Sequence, residues 1–256
     1  MKIRIATIAR YTLIEAVRTR LPLLTLAAIA VLLGASFFVR EIAITESARF
    51  QTAFYAAAMR LSAAFIAALY VIASMSREFH DGVLDVALAL DLPRSHYIAG
   101  KLAGFLAIAG VLAIAVSVPL VPLAGWEAAA IWGVSLACEL GIVVALSVFC
   151  AVTFNQLMPA ASVVLAFYIL ARSITAIRLI GANPIADASS LSHRVMAGLV
   201  EALSFVIPAL DTWTRSAWLL AQPASWSTLA QIAAHSVLFV AIFAAAAVFD
   251  MQRRNF

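Results

Sequence analysis

Ser76–Lys101, SREFHDGVLDVALALDLPRSHYIAGK, is the one long polar interruption in the first half of the chain. The hydrophobic runs on both sides are long enough to cross a bilayer, so this stretch belongs in water at a membrane surface. Within it Phe79, Val83, Val86, Ala87 and Leu90 recur at helical spacing, while Glu78, Asp81 and Asp85 fall on another face, which predicts a short amphipathic helix with outward acids. Leu92-Pro93 ends that helix, because a residue before proline avoids helical dihedrals. Pro93 then suits the first turn of the helix that follows.

Around this stretch the composition is that of a membrane protein. Hydrophobic residues make up 65% of the 256 and charged residues 12%, with a mean hydropathy of +1.04, which excludes an ordinary soluble domain. The expected fold is an all-α polytopic membrane protein forming one domain over 1–256. The net charge of +4 is read as a marker of membrane orientation and not of nucleic-acid binding. Cys138 and Cys150 are twelve helical residues apart, about 18 Å, too far for a disulfide.

Taken in order, residues 1–20 carry Lys2, Arg4, Arg10, Arg18 and Arg20 among Ile3, Ile5, Ile8, Leu13, Ile14 and Val17. This predicts a basic amphipathic helix retained at the membrane surface, since no small-residue cleavage site stands where a signal peptide needs one. Six spans follow: Leu21 to Val39, about Thr52 to Met75, Leu102 to about Leu123, Ala128 to about Thr153, Pro159 to about Arg178, and Thr228 to Val248. The external segment 180–227 holds Val195 to Val206, apolar but too short to span, and a second piece around Leu210 to Leu220. Both are expected as short helices on or dipping into the interface; a seventh, broken span is the alternative.

Ten basic residues fall on the side of the N-terminal helix and the Ser76–Lys101 loop, against Arg40, Arg49, Arg178, Arg194 and Arg215 on the other. The excess predicts that both termini and the loop are cytoplasmic.

Arg77, Glu78, Gly82, Leu88, Leu90, Leu92, Pro93, Arg94, Tyr97, Gly100 and Lys101 together resemble the cytoplasmic loop between the second and third spans of ABC type-2 permeases. IARYTLIEAVRTR at the N-terminus is similar to the elbow helix of that family, in the branch associated with multicopper-enzyme maturation. The resemblance implies that 76–101 holds a coupling helix, received by a groove on a separate ATPase subunit. It assigns ATPase coupling to Arg77, Glu78, Asp81, Gly82, Asp85, Leu88, Pro93 and Arg94. It also implies pairing with a second permease copy or close homologue, a possible periplasmic accessory protein, and an ATP-driven export function. ATP and magnesium belong to the partner ATPase, and the chain itself is expected to be no enzyme. An amphipathic helix lying on the membrane is the plain alternative for the loop.

No phosphate-binding G-x-x-x-x-G-K-[ST] pattern occurs, so energy must come from elsewhere. The four histidines lack ligand spacing on any helix face, and no metal or other cofactor is expected in this chain. Charges at bilayer depth are more informative, because they are expensive and face protein or a wet cavity. Arg60, Glu139, Arg172 and His235 all fall near the middle or in the outer half of their spans, which suggests a cavity opening outward. The plain alternative is a structural Glu139–Arg172 pair with Arg60 reaching outward near Glu46 or Glu127. Two other functional classes stay open: an intramembrane enzyme using Glu139 and His235, and a membrane assembly factor that transports nothing.

Overall fold

The computed structural model describes residues 2–81, 93–182, 198, 200–203, 207–221 and 224–253. Within them the protein is all-α. An N-terminal helix, Lys2–Arg18, precedes six helices long and apolar enough to cross a membrane, and this makes the chain a polytopic membrane protein. The spans are Leu21–Ile42, Ser47–His80, Arg94–Ala124, Trp126–Phe154, Leu157–Ala182 and Trp226–Arg253, called the first to sixth spans below.

Local sequence sets the boundaries. Pro93, with φ −60° and ψ 134°, caps the third span. Pro119 and Pro122 tighten its far end into the 3-10 turn Val118–Leu120 and the short helix Val121–Ala124. Gly125 then turns the chain at φ 86°, ψ 160°, a region that only glycine enters freely, and the fourth span starts at once. Asn155, left-handed at φ 53°, closes that span. Trp126 and Trp226 open the fourth and sixth spans at the same end of the bundle, and both are exposed, as interfacial tryptophans are.

The fourth span is the axis of the fold. Its most apolar window is 78% buried, against 11% for the first span, and it packs on the second, third, fifth and sixth spans. Trp132, Leu136 and Leu140 fill the centre with Tyr55, Met59 and Phe105. The first span rests almost wholly on the second.

The second span corrects the expected boundary at Met75. At 34 residues it is about 51 Å long, against a hydrocarbon core of about 30 Å, so its last turns leave the membrane. Ser76 to His80 therefore continue this helix, and Phe79 packs on the core as its last apolar residue instead of starting a separate amphipathic helix. The third span likewise begins at Arg94, not Leu102. Between these two helices Asp81 and Pro93 are described and non-helical, and 82–92 lies outside the described residues.

The N-terminal helix lies across the start of the third span. Gly100 and Gly104 make the crossing possible: a Cβ on Gly100 would stand 2.8 Å from Ile8 Cβ, and one on Gly104 would stand 2.7 Å from Thr12 Cβ. Tyr11 and Val17 remain exposed on the opposite face beside Arg10 and Arg18.

The expected helix over Val195 to Val206 falls mostly outside the described residues, where 198 and 200–203 are helical. The second external piece is a 3-10 turn, Leu210–Thr212, followed by the short helix Ala217–Leu220. It dips deeply: Leu210, Trp213, Thr214 and Leu219 are buried against the bundle.

Candidate functional site

Polar side chains gather at two levels, one in the half of the bundle farther from the N-terminal helix, called the outer half below, and one beside that helix. In the outer group, Glu139 projects from the fourth span with its side chain wholly buried. Tyr168 and Arg172, four residues apart and hence on one face of the fifth span, meet it. The Tyr168 hydroxyl donates to Glu139 Oε1 at 2.8 Å, and Arg172 Nη1 stands 3.4 Å from both carboxylate oxygens. The pairing expected between Glu139 and Arg172 is therefore present.

Arg172 and Arg60 also hold the external segment. Arg172 Nη1 donates to the Leu210 carbonyl and lies 3.4 Å from that of Trp213; Arg60 Nη1 donates to the Thr214 carbonyl at 2.6 Å. Ser135, one turn before Glu139, accepts from the Thr214 backbone N–H at 3.0 Å and shares a 3.1 Å hydrogen bond with the Thr214 hydroxyl. Thr214 sits at φ 44°, which a β-branched residue adopts at a cost of about 1–2 kcal/mol. Five polar side chains thus close on a loop whose carbonyls satisfy the cations. Among the described residues, Arg60, Glu139 and Arg172 meet one another or this loop, the arrangement of a structural polar cluster.

Two placements differ from expectation. Arg60 turns inward to the loop and meets neither Glu46 nor Glu127; Glu46 instead pairs with Arg49 at 2.7 Å on the surface. His235 takes no part: it is exposed, and its Nδ1 lies 2.8 Å from the Gln231 carbonyl of its own helix. A residue advances a helix by about 100°, and here Ser236 is the one that faces the fourth span, donating to the Cys138 carbonyl at 2.8 Å. Glu139 and His235 therefore share no hydrogen-bond network, as a joint catalytic role would require.

The second group ties three helices together. Glu78, near the end of the second span, accepts from the Tyr97 hydroxyl and from Lys101 Nζ at the start of the third. Glu15 of the N-terminal helix lies 3.7 Å from Lys101, 3.9 Å from Arg77, and accepts from the Ser74 hydroxyl at 3.1 Å. Tyr97 and Lys101 are again four residues apart, so the third span presents both to the same carboxylate. Lys101 is buried, and two acids on separate helices balance it.

This revises the reading of the opening stretch. Glu78 is not an outward acid: only 13% of its side chain is exposed, because Lys101 draws it inward. Arg94 also turns inward, its Nη1 donating to the Met251 carbonyl at 3.0 Å and so satisfying a carbonyl left open at the end of the sixth span. Asp81 is exposed at the C-terminus of the second span, Arg77 is largely exposed, and Pro93 is exposed before the third span. Gly82, Asp85 and Leu88 lie outside the described residues.

Glu15, Ser74, Ser135, Tyr168 and Thr214 were not among the predicted site residues. Tyr168 and Arg172 share a helix face, a signal visible in the sequence; backbone carbonyl partners leave none. Among the described residues no three His, Cys, Asp or Glu side chains converge as metal ligands, and Cys138 and Cys150 are free thiols. Comparison with known proteins finds no family model and no curated sequence that matches this chain.

Proposed function

We propose that the chain is the membrane-spanning permease subunit of an ATP-driven exporter, of the ABC type-2 kind, in a bacterial inner membrane with both termini cytoplasmic. In this reading the crossover 81–93 bears on a separate ATPase, which binds the ATP and magnesium, and a second permease copy or close homologue completes the pathway. The observation that supports it most is the Glu15–Glu78–Tyr97–Lys101 cluster at the feet of that crossover. A loop anchored by a buried lysine shared between two carboxylates on two other helices can pass a push from a partner into the second span, the third span and the N-terminal helix together. A membrane-surface loop needs no such anchor. The balance of basic residues supports the sidedness.

Because Glu78 is committed internally, Asp81 and Asp85 are the two of the three expected outward acids left to meet a partner. Reversing both, Asp81→Lys with Asp85→Lys, sets like charges against a basic groove, which can cost several kcal/mol at an interface. The tagged wild-type protein should co-purify with an ATPase carrying its own phosphate-binding loop. The double variant should insert and unfold like wild type, yet lose that partner or hydrolyse ATP without transport. Unchanged assembly and transport in the double variant would overturn the reading.

A further inference from the structure

Between the first and second spans, on the side of the N-terminal helix, lies a groove of about 760 Å³ that opens sideways to the bilayer. Its walls are apolar, with Leu24, Ala28 and Phe65 among them, and its rim carries Arg20 and Arg77. From Arg20 to Leu32 it covers about 18 Å of helix, and from Ser62 to Arg77 about 22 Å. Half of a bilayer, headgroups included, is about 20–22 Å thick, so the groove matches one leaflet.

The charges at the rim are only partly balanced locally. Lys101 and Arg77 share Glu15 and Glu78, whereas Arg20 has no ion-pair partner among the described residues and is exposed. The Tyr70 side chain lines the same groove, and its hydroxyl is shut off from solvent without a hydrogen bond of ordinary geometry. Cations at headgroup level above an apolar slot one leaflet deep are complementary to an anionic phospholipid. A second copy of the chain packed groove to groove would instead set these arginines against each other.

We infer that the groove binds one anionic phospholipid of the leaflet on the side of the N-terminal helix, with its phosphate at Arg20 and Arg77 and an acyl chain between the first and second spans. The inference needs only that the six helices span a membrane and is independent of the transport reading. The bound lipid takes the place of protein packing along the first span, which otherwise rests almost wholly on one neighbour.

Native mass spectrometry of the full chain, titrated with phosphatidylglycerol or phosphatidylcholine of equal chain length, tests it. Arg20→Gln should weaken phosphatidylglycerol binding about fivefold, and Arg20→Gln with Arg77→Gln about thirtyfold, with phosphatidylcholine unaffected. Ala28→Trp should block both lipids by filling the slot, while Arg10→Gln, on an exposed position away from the groove, should change neither. Equal losses from Arg10→Gln and Arg20→Gln would reduce the effect to general surface charge. That result, or no loss in the Arg20 variants, or disulfide-linked dimers through Leu24→Cys formed at the lipid's expense, would overturn the inference.

Discussion

The two polar groups of this bundle hold similar charges in dissimilar ways. In the outer half Glu139 is sealed from solvent, and its cationic neighbours spend their remaining donors on the backbone of the external segment. Beside the N-terminal helix, Glu78 and Lys101 pair through side chains alone, and Glu15 is a second, partly exposed carboxylate for the same lysine. The carboxylate of the first is wholly buried, whereas the second has a spare carboxylate that is partly exposed. The outer group should therefore behave as a rigid lock on the external segment. The other should behave as a joint between helices that can exchange partners.

Replacing Arg172 gives the sharpest test of that contrast. Arg172→Leu leaves Glu139 buried with only the Tyr168 hydroxyl, and the loss should be about 3–5 kcal/mol in thermal or denaturant unfolding in detergent. Adding Glu139→Gln should return part of this, because the uncompensated charge goes with it; strictly additive losses would show that the pair is not coupled.

At the other group Glu78→Ala should cost less, about 1.5–3 kcal/mol, as expected for hydrogen bonds to charged groups, since Glu15 still faces Lys101. The contrast breaks if Glu78→Ala costs as much as Arg172→Leu. Glu15→Ala combined with Glu78→Ala should then exceed the sum of the single losses, because Lys101 would be left buried and alone.

The joint also depends on the close helix crossing beneath it. Gly104→Ala forces a Cβ against Thr12 and should cost about 1–3 kcal/mol, loosening the N-terminal helix so that trypsin cuts faster at Arg10. Gly110→Ala, which meets nothing within 4 Å, should be neutral or stabilise the third span by about 0.5–1 kcal/mol. The smallest effect is expected at His235: replacing it with alanine should shift stability by less than about 0.5 kcal/mol, because it faces outward from the bundle. A loss comparable to that of Arg172→Leu would restore it to the outer group.

Much of the fold is legible in the sequence because a bilayer imposes a length and an apolarity that few other environments do. All six spans, the N-terminal helix and a short helical second piece of the external segment follow from hydropathy, prolines and the glycine at 125, whereas the depth of that piece does not. Boundaries are harder to read where a helix outlasts the membrane. Hydropathy ends the second span at Met75, whereas hydrogen bonding carries it to His80, since nothing polar in SREFH interrupts the helical backbone.

The sequence by itself determined that Glu139 and Arg172 stand at similar depth, because rise per residue converts position to height. It could not supply the angle around each helix with the same certainty. A one-residue error turns a side chain by about 100°, enough to exchange His235 for Ser236 and to turn Glu78 from solvent toward Lys101. Those choices, together with the carbonyls of Leu210 and Thr214 that complete the arginine sites, were decided only by the packing of helices far apart in the chain. Depth is a one-dimensional property that a sequence carries directly, whereas facing is a relation between elements.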